Sequence, residues 1–344
     1  MTKVDEREPM AFEQDVLEIA LESLRSRRKS RLLSPAARRP RPRRRTMVAV
    51  AVAGLAVAIA VPIVLPGGGT GGADPAAAAL LHRVALRAAQ QPAEPTPGPG
   101  QYLYTRSESA GISLYVVGDG TTFLFSHSST RQSWIATDGS GRIFETSGTV
   151  SFPTKEDRAT WIAAGSPDLN ENLTLDELFD PGELFYADYI DLPTDPEELL
   201  ELIERREISG VGGPNNHWGT FVIIGDLLRE TSLQPKVRAA LYQIAAEIPG
   251  VELVGHVIDG AGRPGVAVAY RHENSDSPSR QELIFDPVTA ELLGTDEVLI
   301  ADSTVEVESG GPGAIYGGVG PAGTRTFTTT YLASGVVDST SERL

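Results

Sequence analysis

An α+β domain built on one curved antiparallel sheet, with helices on the concave face and one transmembrane helix ahead of it, is the fold the sequence predicts. Three observations lead there. Met47–Leu65 runs for 19 residues with no charged or hydrogen-bonding side chain. Strand-like runs at about ten-residue spacing occupy 101–146 and return over 251–332. The stretch between them, 154–248, reads as mostly helical. Two runs of strands on either side of a helical block favour α+β over alternating βα units. About ten strands is near the limit for an open twisted sheet, so the sheet should curl and acquire a concave side.

The chain divides into four stretches: a tail (1–46), the apolar run (47–65), a Gly/Pro-rich linker with one helix (66–100), and the α+β domain (101–344). In the tail, Ala11–Leu24 is an amphipathic helix with Phe12, Val16, Leu17, Leu21 and Leu24 on one stripe. Glu13 and Asp15 in its first turn and Arg25 at its end suit the helix dipole. So short a tail cannot bury that stripe. The stripe is either a docking face for a cytoplasmic regulatory partner, a helix lying on the inner leaflet, or a frayed helix.

Arg25, Arg27, Arg28, Lys29, Arg31, Arg38, Arg39, Arg41, Arg43, Arg44 and Arg45 follow with no acid among them. Met47–Leu65 then has the length a helix needs to cross a bilayer's hydrocarbon core, and a helix satisfies its own backbone there. Basic residues stay on the cytoplasmic side, which places the N-terminus inside and the long remainder outside, in a cell membrane. The alternative is a cleaved export signal: Arg44-Arg45 loosely resembles a twin-arginine motif, and Gly71-Gly72-Ala73 suits cleavage. Both readings put residues 74–344 outside.

The net charge is −16, and residues 1–46 carry +6, leaving −22 beyond the apolar run. So acidic an outer part disfavours nucleic acid as a partner. There is no cysteine. That removes disulfides, thiol nucleophiles and every cysteine-based zinc site.

Asp74–Gln91 reads as a helix, with Asp74 as N-cap and Pro75 as first residue. Pro92, Pro95, Pro97 and Pro99 form a stiff connector. Strands are expected at Gln101–Ser107, Ile112–Val117, Thr121–His127, Arg131–Thr137 and Arg142–Thr146. Gly118-Asp119-Gly120 and Asp138-Gly139-Ser140-Gly141 are the tight turns. Helices are expected at Thr154–Ala164, Asp195–Arg206, His217–Glu230 and Pro235–Ile248. Strands resume at Val251–Asp259, Gly265–His272, Arg280–Phe285 and Leu292–Ile300. A Gly-rich loop, Gly310–Gly323, precedes a last strand, Arg325–Leu332.

The stretches GQYLYTRSES (Gly100–Ser109), LPTDPEELLELI (Leu192–Ile203), Val237–Tyr270 and LIFDPVTAELLG (Leu283–Gly294) resemble an actinobacterial family of single-pass membrane proteins of unassigned function. High Ala, Gly, Pro and Arg content accords with such a source. The resemblance covers about two thirds of the chain. It implies an outer domain similar to the half-barrel of lipoprotein carriers and of periplasmic sensors that control anti-sigma factors, and it implies no catalytic residues. The tail departs from the anti-sigma layout: it lacks a zinc-type His/Cys motif, and one helix is short for a complete sigma-binding domain.

No catalytic, cofactor or metal constellation emerges. His82, His127, His217, His256 and His272 form no HExxH motif and no i, i+4 pair. His217, beside Trp218, reads as a helix-entry residue. The serines lie outside any GxSxG elbow. Asp176, Glu177, Asp180 and Glu183 lack calcium-loop spacing and read as a solvated acidic surface in a turn-rich region. Gly310–Gly320 lacks GxGxxG spacing. The remaining site candidates are aromatic. Tyr102 and Tyr104 share a strand face, as do Phe123 and Phe125. With Trp134 and Trp161 they would form either plain core or an apolar pocket between sheet and helices. The expectation is therefore a sensing or binding protein without enzyme activity or cofactor, passing a signal to its cytoplasmic helix. The alternative is an anchored carrier for lipid or another apolar ligand.

Overall fold

The computed structural model describes residues 72–93, 95–169, 174–184, 192–205, 216–230, 233–273, 277–303, 313–316 and 318–344. The Ala11–Leu24 helix and the Met47–Leu65 run lie outside the described residues. Among the described residues, no helix is long and apolar enough to cross a membrane.

The described residues form five helices and ten strands: α1 (Pro75–Gln90), β1 (Tyr102–Val116), β2 (Thr122–Ile135), β3 (Gly141–Ser147), α2 (Lys155–Ala163), β4 (Thr174–Phe179), α3 (Pro196–Arg205), α4 (His217–Glu230), α5 (Pro235–Glu247), β5 (Val251–Ile258), β6 (Pro264–His272), β7 (Ser279–Phe285), β8 (Leu292–Leu299), β9 (Gly313–Tyr316) and β10 (Arg325–Val337). All ten strands belong to one sheet, in the order β4-β3-β2-β1-β10-β8-β7-β6-β5, with β9 pairing β1. Every pairing is antiparallel. Both runs of strands thus join one open sheet, and the last long strand, β10, inserts between them.

Helix starts follow the capping residues. The Asp74 carboxylate accepts from the Ala76 amide at 2.7 Å, ahead of Pro75. Thr154 and Asp157 form a reciprocal capping box at α2. Asp195 accepts from the Glu197 and Glu198 amides at α3.

Three features depart from the sequence reading. The runs Gln101–Ser107 and Ile112–Val117 are one strand, β1, and Thr121–His127 with Arg131–Thr137 is one strand, β2. The polar middles look like strand breaks in sequence. In the fold they pair with each other without a break, Glu108 opposite Thr130 and Ser109 opposite Ser129. The acidic surface stretch placed in a turn-rich region contains β4, at the outer edge of β3, and Asp176 there, still exposed, receives Arg142. The Gly-rich loop contains β9.

The main core lies between α1, α3, α4, α5 and the β6–β7 half of the sheet, where Val266, Val268, Leu283 and Phe285 face the helices. Helix α5 is buried along nearly its whole length, the pattern of a helix enclosed on all sides. Its Tyr242 ring lies 5.7 Å from Phe285, and its hydroxyl donates to the Ala290 carbonyl at 2.8 Å. Burial pushes the Tyr242 hydroxyl pKa up.

Candidate functional site

Strand parity distributes the aromatic residues. Trp134 and Phe123 are eleven positions apart on β2, which runs without a register shift against β1. An odd separation on a continuous strand puts two side chains on opposite faces. Tyr104 lies opposite Trp134, and Tyr115 lies opposite Phe123. The six aromatic positions therefore do not line one pocket. Phe123 and Phe125 belong to the helix-bearing face, while Tyr102, Tyr104 and Trp134 belong to the other. Splitting β2 into two short strands is what hid this, because two strands joined by a turn leave their relative facing open.

On the helix-bearing face the rings form a ladder. Tyr115 stacks on Phe123 at 5.1 Å, Phe123 meets Phe152 at 6.3 Å, and Phe152 meets Trp161 of α2 at 5.1 Å. The Trp161 indole N–H donates to the Pro167 carbonyl at 2.9 Å. Phe125, fully buried, sits opposite Ser113, whose buried hydroxyl has no hydrogen-bond partner among the described residues. Leu199 and Ile203 of α3 bury against the other helices rather than against this ladder.

The opposite face carries no helix among the described residues. Tyr104, Trp134 and Val337 form a buried cluster there, flanked by Tyr102, Phe144 and Ala333. The Tyr104 and Trp134 rings lie 5.2 Å apart and tilted. Burial raises the Tyr104 hydroxyl pKa, opposed by the charges of Arg106 and Arg343. Trp134 is wholly inaccessible because the segment after β10 crosses over it. The Trp134 Nε1–H donates to the Glu342 carbonyl at 2.6 Å. The guanidinium carbons of Arg343 and Arg142 lie 5.5 and 5.4 Å from the indole centre, within cation–π range. Arg343 Nε donates to Gln132 Oε1 at 2.7 Å, and the Tyr104 hydroxyl donates to the same oxygen at 3.1 Å. Arg142 forks onto Asp176 at 2.7 and 2.8 Å and also donates to the Thr340 carbonyl. The hydrogen bonds and charge of Arg142 hold the Asp176 carboxyl below its ordinary range.

Further along the same face lies a polar network. Asp259, Glu282 and Asp296 are buried. Arg263 Nε reaches Asp259 at 2.7 Å, Arg280 reaches Glu282 at 2.7 Å, and Arg325 reaches Asp296 at 2.8 Å. The Thr328 hydroxyl donates to Asp296 at 2.5 Å. Desolvation raises the Asp296 pKa despite Thr328 and Arg325, and the Asp259 charge adds to the rise. Arg263 also donates to the carbonyls of Leu293 and Tyr331 at 3.0 and 2.7 Å. Leu293 is the extra residue of a bulge on β8, and Tyr331 borders a bulge on β10. Bulges leave backbone groups outside the ladder, and here one guanidinium satisfies two of them. The β5–β6 turn folds over this face so closely that a Cβ at Gly260 would collide with the Thr330 hydroxyl.

Among the described residues, no group of three or more His, Asp or Glu side chains is placed to hold a metal ion. His217 begins α4, and the neighbouring Trp218 ring stacks on His272 at 4.8 Å. Sequence reading singled out Trp134 but not Arg142, Gln132 or Arg343. The two Arg-bearing segments are separated by nearly the whole domain, and no spacing rule links them.

No family model matches the chain, and no curated protein matches it. Among solved structures, it is similar to a chain in the complex structure of Pseudomonas aeruginosa MucA/MucB, at 13% identity and TM-score 0.20, over 76% of this chain and 57% of that one. It is also similar to the LolA superfamily protein NE2245 from Nitrosomonas europaea, at 9% identity and TM-score 0.12, over 75% of this chain and 92% of that one. The chain thus spans 57% of the length of the first of these.

Proposed function

We propose that the chain is a single-pass membrane protein whose folded part is an extracytoplasmic sensing or binding domain, a curved half-barrel without enzyme activity. In this reading Met47–Leu65 crosses the membrane, and the Ala11–Leu24 stripe carries a signal to a cytoplasmic regulatory partner in an anti-sigma-like layout. The observation that carries the binding role is the Trp134 cluster. Its donors and rings are met by main-chain carbonyls and a guanidinium, which is contact chemistry and not bond-breaking chemistry. The membrane placement rests on the charge contrast, +6 over residues 1–46 against −22 beyond the apolar run.

A reporter active only outside the cytoplasm, fused after Leu344, tests the topology. Activity of a cytoplasm-only reporter at that position defeats the reading. Leu17→Glu tests the signalling limb: it should abolish capture of the cytoplasmic partner without changing membrane insertion. The second reading is an anchored carrier for lipid or another apolar ligand. It is favoured by the ring ladder from Tyr115 to Trp161 beside the Ser113 hydroxyl, which has no partner among the described residues. Lipid co-purifying with the domain, and lost on Phe123→Asp, would select it.

A further inference from the structure

We propose that residues 338–344 form a displaceable strap over a peptide-binding platform centred on Trp134, whose ligand is a polypeptide turn bearing an arginine or lysine. This goes beyond the membrane-anchored reading and stands on a separate observation, the way the chain seats its own segment.

The strap is held by few contacts. Ser341, Glu342, Arg343 and Leu344 are exposed, while Trp134 beneath them is wholly covered. Besides the bonds to Trp134, Gln132 and Arg142, its attachments are a Gln101–Asp338 hydrogen bond of 2.8 Å and the approach of the Leu344 side chain to Gly335. Two internal bonds, Asp338 N to Glu342 Oε2 and Glu342 N to Ser339 O, fold it on itself and do not anchor it. A segment with little buried apolar surface opens at far lower cost than the strands below it.

What the strap leaves behind defines the ligand. The Trp134 Nε1–H and an Arg142 Nη1–H would each lack the carbonyl they now meet, and two main-chain carbonyls of a segment that takes up the same turn supply both. Gln132 Oε1 and the indole face would lose the cation that Arg343 provides. Arg142 stays behind, tied to Asp176. A basic side chain on the incoming segment restores the bond to Gln132 and the ring contact. The carboxylate of Asp176 already balances the charge of Arg142, so the second cation at the ring is the one the incoming segment supplies.

The test uses the full chain in detergent, with Arg343→Ala to loosen the strap. The probe is a fluorescently labelled heptapeptide of the 338–344 sequence, compared with the same peptide carrying alanine in place of its arginine. The Arg343→Ala chain should bind the arginine peptide about tenfold more tightly than the unaltered chain does, the size of one lost hydrogen bond plus one ring contact. The alanine peptide should bind about tenfold more weakly than the arginine peptide. Adding Gln132→Ala should narrow the difference between the two peptides to the part due to the ring contact. Adding Trp134→Phe should weaken both, with the thermal unfolding transition retained. Equal binding of the two peptides, or no binding to the Arg343→Ala chain, overturns the proposal. So does a doubling of the Arg343→Ala chain's mass, which would assign the platform to the strap of a second copy.

Discussion

The two halves of the sheet are built on different physics. From β5 to β8, one face is covered by α1, α3, α4 and α5, and the contacts are aliphatic and closely packed. From β1 to β4, the described helical cover is α2 alone, which buries none of its residues fully. There the structure depends on rings, guanidinium groups and a strap that reaches back from the far end of β10. Apolar burial is non-directional and large, so the helix-covered face of the first half needs only shape complementarity, while its other face is held by the buried ion pairs of Arg263, Arg280 and Arg325. Hydrogen bonds and cation–π contacts are directional and modest, so the second half holds one arrangement against a small energy gap. Stability is therefore concentrated on the α5 side, and exchangeable contacts on the Trp134 side.

The largest blow to that contrast should come from α5. Leu241 is fully buried, and Leu241→Ala should cost about 4 kcal/mol in urea unfolding. A cost under about 1 kcal/mol, the size of a surface change, would show that the helical half does not dominate stability.

Arg263→Ala comes next. It leaves the nearly inaccessible Asp259 carboxylate without its cation and two bulge carbonyls without their donor. Uncompensated buried charge makes this worth about 3 kcal/mol. Arg263→Lys should recover only part of it, since one ammonium can stand in for Nη2 but not also for the Nε–H that meets Asp259. Full recovery by lysine would mean that the charge alone matters.

On the ring-bearing side the expected effects shrink. Thr154→Ala removes one half of the α2 capping box and should cost about 1 kcal/mol. Asp157 would still accept from the Leu124 amide at the exposed start of β2. A loss as large as that of Leu241→Ala would break the comparison, because α2 would then be as central as α5.

The smallest effect is a slope. Burial raises the Asp296 pKa in the folded chain. The folded state therefore binds more protons than the unfolded state between the ordinary value, about 4, and the raised one. Stability should fall as pH rises through that window. Asp296→Asn should flatten that part of the profile in urea midpoints taken across the acid range. An unchanged profile would mean that Thr328 and Arg325 cancel desolvation.

Much of the element list was legible in sequence, for local reasons. Asp74-Pro75, Thr154 with Asp157, and Asp195 each supply caps that act within one turn, so α1, α2 and α3 begin where the residues say. The errors cluster where local signals compete with pairing. Glu108–Gly111 and Ser128–Thr130 are polar enough to break a strand, yet each is a good partner for the other across an antiparallel ladder. Strand β4 looked like a solvated surface stretch because Asp176 and Glu177 gain their strand character from β3, and Asp176 finds its partner 34 residues away in Arg142.

By itself, then, the sequence determined the charge contrast around Met47–Leu65, the absence of thiol chemistry, the α+β class and the caps and hairpin turns. These depend on neighbours within a few residues or on composition. Only the tertiary structure decided which face each aromatic occupies, because facing depends on strand continuity. It alone brought Arg142, Gln132 and Arg343 around Trp134, and Arg263 onto the β8 and β10 bulges. Those contacts join segments far apart in the chain, and no short-range pattern encodes which distant segment will arrive.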